Sequence, residues 1–177
     1  MHAVRRDVLE AQAAATRLPL RVVHIPHPCP NEIYEARMRT AVEAAVSEGF
    51  THAAFGDLFL EDVRRYREER LDGSGLQPLF PIWGIPTPQL AEQMIDGGLR
   101  ARMACVDTRK LDASFVGREW DRALLHDLPP GIDPCGENGE FHTCVYAGPM
   151  FSAPLALEPG ERVTRDPFAW RDLVCRA

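Results

Sequence analysis

Apolar positions in the first part of the chain switch between helical and strand spacing. One helical face within about residues 2–15 carries Val4, Val8, Ala11 and Ala15. This spacing predicts an amphipathic helix. The run LRVVHI at 20–25 is rich in β-branched residues and is followed by prolines. It therefore predicts a strand that ends at about residue 25.

The same alternation continues as far as residue 70. Asn31 follows a proline and opens a helical pattern that stops before Gly49, with apolar positions at Tyr34, Met38, Ala41 and Ala45. THAAFGD at 51–57 predicts a strand, and a further helix is expected from about Asp57 to Arg70. This order predicts an α/β fold with a parallel sheet covered by helices. Because such domains normally begin with a strand, we expect the sheet to be N-terminally truncated.

The pattern changes after the DGSG sequence at 72–75. Thr87 and Pro88 predict the N-cap and first residue of a helix that ends at Gly97 and Gly98. RARMACVD at 100–107 predicts a strand, and 118–128 predicts a helix that is stopped by two prolines. We therefore divide the chain into two lobes, residues 1–74 and 75–177.

The composition of the chain argues against several classes of function. The formal charge of −6 argues against general electrostatic binding to nucleic acid or anionic lipid. No apolar run approaches the length of a membrane span, and no secretory signal is apparent, so we expect a cytoplasmic location. Five cysteines without a pairing pattern predict reduced thiols.

The densest group of polar and glycine residues is DPCGENGEFHTCVYAGPMF at 133–151. Gly136 and Gly139 permit backbone conformations that let a ligand approach closely. A strand from residue 140 would place four side chains on one polar face that lines a cleft: Glu140, His142, Cys144 and Tyr146. Carboxylate, amide and imidazole groups there could bind an amine or carry a proton. The alternative is a tight turn in which His142 is only a hydrogen-bonded neighbour.

Four motifs in order resemble the PP-loop ATP-binding family of diphthine ammonia ligase and its bacterial relatives. They are AFGDLFLEDVRRYRE at 54–68, LFPIWG at 79–84, FVGREWD at 115–121 and DPCGENGEFHT at 133–143. The resemblance implies a Rossmann-like (HUP-type) nucleotide lobe of the adenine nucleotide alpha hydrolase class, beside a smaller α/β substrate lobe. It also implies an amide-forming ligase that uses ATP and Mg²⁺, adenylates an acceptor oxygen and lets a nitrogen nucleophile displace AMP.

The resemblance also implies site residues. Glu137, Asn138, Glu140 and His142 match the signature and are the expected catalytic residues of the substrate and amine pocket. His2, Gly56 and Asp57 match positions near the nucleotide, although Asp57 as a helix N-cap is an equal alternative. Arg118 and Glu119 either support the pocket or form a surface pair.

The sequence departs from the family in one large respect, since the phosphate-binding Ser-Gly-Gly-Lys-Asp-Ser loop does not occur in it. The chain is therefore expected to be a fragment, to receive the loop from a partner chain, or to have lost it. For the assembly, we expect either a homodimer or a complex with a partner chain that supplies the loop. A non-catalytic nucleotide or metabolite binding module is the alternative function.

Three other hypotheses have weaker support from the sequence. A zinc site can be drawn from dispersed residues, namely His24, His27, Cys29, Cys135, His142 and Cys144, but their spacings fit no zinc module. Cys135 beside His142 is a weak candidate nucleophile. Arg64 and its neighbours on one helix favour local ion pairs over phosphate binding.

Overall fold

The protein is described by a computed structural model that covers residues 4–176. It is a mixed α/β structure with one parallel and one antiparallel sheet. The chain forms two compact units. We call the first the split unit, Met1–Leu20 with Pro86–Ala177, and the second the middle unit, Arg21–Ile85.

The split unit is built on a four-stranded antiparallel sheet. Its strands are β3 (Arg100–Asp107), β4 (Phe141–Ala147), β5 (Leu157–Arg165) and β6 (Phe168–Cys175). Their order across the sheet is β4-β3-β6-β5. Its helices are α1 (Arg6–Thr16), α4 (Thr87–Asp96), α5 (Arg122–Asp127) and a 3₁₀ turn (Ala113–Phe115).

Apolar residues form clusters on both faces of this sheet. Met103, Val106 and Phe141 belong to the larger cluster, which also includes Leu124 of α5. The register of β3 against β4 shifts between Met103 and Cys105, so Met103 and Val106 join one cluster although they are three positions apart. The smaller cluster packs α1 against the sheet and contains Val8, Ala104, Cys144 and Leu173.

The middle unit contains less regular structure. Its elements are α2 (Asn31–Ser47), β1 (His52–Ala54), α3 (Glu61–Leu71) and β2 (Gln77–Leu79). β1 and β2 pair in parallel. The sequence pattern predicted a parallel sheet here, but its predicted strands were 20–25 and 51–57, and β2 was not predicted. No residue of α2 is buried.

The predicted strand at 20–25 is wrong. In the described chain this segment has no regular structure, and three of its four apolar side chains are exposed, with Leu20 at 41%, Val22 at 38% and Ile25 at 39%. A strand requires a neighbour for its backbone groups, and no described strand lies beside this segment.

Other boundaries also differ from the predictions. The helix expected over 118–128 is confined to α5, where Asp121 accepts a hydrogen bond from the Leu124 amide as N-cap. β5 and β6 were not predicted. Pro159 and Gly160 resemble a turn, but they lie within β5, where its register against β6 shifts.

The compact units divide the chain differently from the predicted lobes of 1–74 and 75–177. α1 groups with the C-terminal half because Val8 packs with Cys144 and Leu173. The functional lobes stay a prediction. No described helix has both the length and the apolar character that crossing a bilayer requires.

Candidate functional site

The signature turn at 133–140 in the split unit is fixed by two glycines. Gly136 and Gly139 have φ angles of +72° and +75°. The Gly136 amide donates to the Asp133 carbonyl at 3.0 Å, and the Gly139 amide donates to the Gly136 carbonyl at 2.9 Å. A Cβ atom on Gly136 would lie 2.8 Å from the carbonyl oxygen of Phe141. Both the backbone conformation and the close packing therefore require glycine at 136.

Asp133 organises the turn from its first residue. Its Oδ1 accepts hydrogen bonds from the amides of Cys135 at 2.8 Å and Glu137 at 3.3 Å. Its Oδ2 accepts the Thr87 hydroxyl at 2.6 Å. Asp133 and Thr87 were not predicted as site residues. Thr87 was predicted only as a helix N-cap, and that is wrong because the N-cap of α4 is Pro86. An Asp at the start of a glycine turn often accepts hydrogen bonds from the backbone of the residues that follow. This pattern was the available signal for Asp133.

Glu140 closes the turn and is almost completely buried, with 3% of its surface exposed. Its Oε1 accepts hydrogen bonds from the Asp133 amide and the Asn138 side-chain amide, each at 3.1 Å. Its Oε2 is also buried, and no described group donates a hydrogen bond to it. A buried carboxylate oxygen without a donor is costly, so Oε2 is the atom of the turn that can accept a further hydrogen bond.

The structure brings the four predicted catalytic residues onto one turn and strand. Asn138 contacts Glu140 directly, and Glu137 is held through its backbone amide by Asp133. The Glu140 carbonyl accepts the Asp107 amide at 2.8 Å, while His142 is paired in register with Cys105 of β3. The turn is thereby attached to the end of β3.

The predicted polar face of β4 is only partly correct. Cys144 lies in the apolar cluster against α1. The Tyr146 hydroxyl donates to Glu119, and burial is the main cause that raises the pKa of Tyr146. The polar region is therefore restricted to the Glu140 end of the strand.

Arg118 and Glu119 contact other residues of the split unit. Arg118 donates to Asp127 at 2.6 Å, and its guanidinium lies 5.0 Å from the Phe115 ring centre. Glu119 accepts from Tyr146 and lies 3.4 Å from an Arg102 nitrogen. The expected surface pair on a helix is therefore wrong, because neither residue lies in a helix and each bonds to a different partner. The described side-chain bonds of both residues do not reach the 133–140 turn.

The cysteine and zinc hypotheses gain no support. The Cys135 thiol lies 3.5 Å from the Thr87 carbonyl oxygen, and burial is the main cause that raises its pKa to about 12. A thiol with that pKa stays protonated near neutral pH and is a poor nucleophile. Within residues 4–176, no three or more His, Cys, Asp and Glu side chains form a group that could hold a metal ion.

Gly56 and Asp57 follow β1 in the middle unit. The Asp57 carboxylate accepts from Arg67 of α3 at 3.0 and 3.4 Å, and the N-cap of α3 is Leu60. The N-cap alternative for Asp57 is therefore wrong, while a nucleotide contact stays a prediction. His2 lies outside the described residues.

Arginines of α3 stack on aromatic rings at this edge of the sheet. The Arg64 guanidinium lies 4.8 Å from the ring centres of both Phe80 and Trp83, and it also pairs with Glu68 at 2.9 Å. The Arg67 guanidinium lies 4.7 Å from the Phe55 ring centre. The ion pairs expected along α3 are present, and the stacking contacts were not predicted.

A cavity of about 570 Å³ lies elsewhere in the middle unit, between α2 and α3. Tyr34, Met38, Tyr66 and Arg70 are among the residues that line it. Neither Gly56 nor Asp57 lines this cavity. Its volume is thus no evidence about the predicted nucleotide contacts.

Comparison with known proteins places the signature turn within a family domain. Residues 86–169 match the family described as "Diphthamide synthase C-terminal domain". The matched residues include Thr87, the 133–140 turn and β4.

Curated relatives extend this match. The diphthine–ammonia ligase of Bos taurus is 29% identical over 146 residues, which cover 78% of this chain and 53% of the cattle protein. The Danio rerio enzyme of the same name is 31% identical over 121 residues, covering 62% of this chain and 46% of the fish protein. The chain thus spans about half the length of these curated relatives. Residues 86–169 are therefore similar to the C-terminal domain of the diphthamide synthase family, and most of the chain is similar to part of the curated diphthine–ammonia ligases.

Proposed function

We propose that the protein acts in an ATP-dependent, amide-forming ligase reaction, in which an acceptor oxygen is activated by adenylation and then displaced by an amine. The turn at 133–140 is the proposed amine pocket. The observation that carries this proposal is the buried Glu140 Oε2, which no described group donates to, inside the domain that matches the family.

The geometry suits an ammonium ion or a primary amine. Two donors already occupy Oε1, so Oε2 is the free acceptor of a buried carboxylate. An N–H group of the amine supplies the missing donor, and the carboxylate charge favours a cation in this poorly solvated position. A small amine therefore satisfies both the hydrogen bond and the charge.

The proton balance assigns a second role to the same carboxylate. An ammonium ion held at Oε2 has no lone pair, so it first gives one proton to the Glu140 carboxylate within hydrogen-bonding range. The ammonia so formed attacks the activated acyl carbon, a C–N bond forms, the bond to the AMP oxygen breaks, and the nitrogen releases a second proton to AMP or solvent. Asn138 fixes the other oxygen of the carboxylate during this step.

The family's phosphate-binding loop does not occur in the sequence. The sequence contains one lysine, Lys110, which follows β3, whereas the family loop places a lysine after the first strand. The described chain also contains no suitable group of metal ligands. We therefore derive no step through the nucleotide or the metal, and we propose that a partner chain or another segment supplies the phosphate-binding loop.

The middle unit is the proposed remainder of a Rossmann-like (HUP-type) nucleotide lobe. β1 and β2 pair in parallel and are connected through α3, which is the arrangement of a β-α-β unit. Asp57 follows the carboxyl end of β1, and Arg64 and Arg67 stack on Phe80 and Phe55, which follow β2 and β1. Open sheets bind ligands at this end of their strands. The cytoplasmic location stays a prediction.

Two versions of the chain test this proposal. One is the chain itself, and the other carries an added N-terminal segment that contains the Ser-Gly-Gly-Lys-Asp-Ser loop expected from the family resemblance. We expect calorimetry to detect binding of ATP with Mg²⁺ only by the extended version. In that version, Glu140→Gln should leave ATP affinity unchanged and weaken the response of AMP release to added ammonium.

Tight ATP binding by the chain itself would contradict this assignment. The absence of the loop from the sequence favours a non-catalytic nucleotide or metabolite binding module as the second candidate. That module becomes the better account if neither version releases AMP although the chain binds nucleotide.

A further inference from the structure

A hydrogen bond joins the start of α4 to the signature turn. The Thr87 hydroxyl donates to Asp133 Oδ2 at 2.6 Å. Thr87 is 8% exposed, so water has little access to compete for this bond. A carboxylate acceptor makes it one of the stronger hydrogen bonds in a protein.

Further bonds attach the same turn to the split unit. Trp120 Nε1 donates to the Pro134 carbonyl at 2.9 Å, and the Cys135 thiol lies 3.5 Å from the Thr87 carbonyl oxygen. Asp133 Oδ1 meanwhile holds the amides of Cys135 and Glu137. The Asp133 carboxylate is therefore shared between the helix and the turn.

Asp133 also sets the orientation of Glu140. Its amide and the Asn138 side chain both donate to Oε1 of Glu140. With both donors on one oxygen, the other oxygen is left for a ligand. The two bonds fix the plane of the carboxyl group, so the position of the Asp133 backbone helps to set the direction in which the second oxygen points.

We infer that Thr87 and Asp133 are positioning residues that hold Glu140 with Oε2 directed at a bound amine. This inference rests on the proposed function for the identity of the ligand. Thr87 acts through Asp133, and Asp133 acts through its amide on Glu140. Neither side chain needs to touch the amine.

The test uses the full chain, with methylammonium chloride as the probe. The variants are Thr87→Val, which removes the hydroxyl at similar volume, Thr87→Ser, which restores it, and Asp133→Asn. The readouts are the dissociation constant, the Asp133 backbone amide resonance and the Glu140 carboxyl carbon resonance. The Trp120 indole resonance reports whether the turn is still attached through Pro134.

We expect Thr87→Val to raise the dissociation constant about tenfold and to shift the Asp133 and Glu140 resonances, because one charge-assisted bond is lost. Thr87→Ser should stay close to the parent protein in all three readouts. Asp133→Asn should fall between them, since its amide oxygen can still accept one donor. Unchanged affinity and resonances in Thr87→Val, with only a lower melting temperature, would overturn the inference.

Failure of the proposed function gives a different result. If the parent chain does not bind methylammonium, the amine pocket is wrong, but the two resonances still decide the positioning role. They should move in Thr87→Val and remain in place in Thr87→Ser. Resonances that stay in place in both variants would overturn the positioning role as well.

Discussion

The split unit and the middle unit have similar patterns of apolar residues, but they bury these residues to different extents. In the split unit, four strands pair in one sheet, and Met103 and Leu124 are fully buried. In the middle unit, two three-residue strands pair with each other, and α2 buries no residue. An apolar pattern therefore predicts an element, while burial depends on a neighbouring surface to pack against.

The candidate site lies in the better packed unit. The 133–140 turn is held by Asp133 and the glycines and continues into β4, which pairs with the central strand β3. A pocket for a small amine requires this kind of support, because a carboxylate that moves freely is solvated and loses its orientation. The difference in packing between the two units predicts differences in the free energy of unfolding and in thiol reactivity.

The largest difference is expected for core truncation. Leu124→Ala in the split unit should lower the free energy of unfolding by about 2–5 kcal/mol, because it leaves a cavity in a packed core. Met38→Ala on α2, where the side chain is 38% exposed, should cost less than about 1 kcal/mol. Guanidinium chloride titrations that follow tryptophan fluorescence measure both values. Equal costs would contradict the difference in packing.

The next effect concerns the turn itself. Gly136→Ala should destabilise the protein by about 2–3 kcal/mol, because it combines left-handed backbone strain with a clash against the Phe141 carbonyl. Gly131→Ala is the matched control, since Gly131 has φ +89° but no atom within 4 Å of an added Cβ. It should cost about 1–2 kcal/mol from strain alone. Thermal unfolding of the two variants should therefore separate the clash from the strain.

A pH-dependent effect is expected at the end of β3. Hydrogen bonding from Arg109 is the main cause that lowers the pKa of the buried Asp107 to about 2, below the roughly 3.9 of an unfolded Asp. The ionised carboxylate therefore stabilises the fold above about pH 4, and this contribution is lost as the pH falls towards 2.

Asp107→Asn is the corresponding test. Urea titrations should show a stability deficit of about 1–3 kcal/mol for this variant at pH 6, from the weakened bonds to Arg109. The deficit should shrink between pH 4 and pH 2. A deficit that stays constant over this range would show that the carboxylate charge does not cause it.

The smallest expected effect is a difference in thiol labelling. Burial is the main cause that raises the pKa of Cys135 to about 12 and of both Cys105 and Cys144 to about 11. At pH 8 these three thiols should react slowly with iodoacetamide in the folded protein. Cys29 and Cys175 are half-buried, whereas Cys105 and Cys144 are buried, so Cys29 and Cys175 should react first. Mass spectrometry after short exposure measures the order, and early labelling of Cys135 would contradict the closed turn.

Local sequence patterns predicted much of the fold where the elements depend on their own residues. β3 matches its predicted limits of 100–107, and α2 begins at the predicted Asn31. The segment at 20–25 failed because β-branched residues favour a strand only when another strand pairs with them. β5 was missed because Pro159 and Gly160 have the composition of a turn, and only the register shift accommodates them.

The same distinction applies to the site. The residue types of the 133–140 turn left amine binding, proton transfer and a plain tight turn open, and the family resemblance selected Glu140. Its role stays a prediction. The roles of Thr87 and Asp133 depend on a contact between residues 46 positions apart. No local pattern contains that information. Likewise, the sequence did not indicate which Glu140 oxygen is free, because two donors from the folded turn decide it.

The central claim is that Glu140 Oε2 receives an amine. The most direct measurement is a methylammonium titration of the parent chain, Glu140→Gln and the control Glu119→Gln, followed by NMR. We expect saturable binding by the parent and the control, and at least about tenfold weaker binding by Glu140→Gln, which places an N–H donor or an uncharged oxygen against the cation. Equal binding by Glu140→Gln, or no saturable binding by the parent chain, would contradict the account.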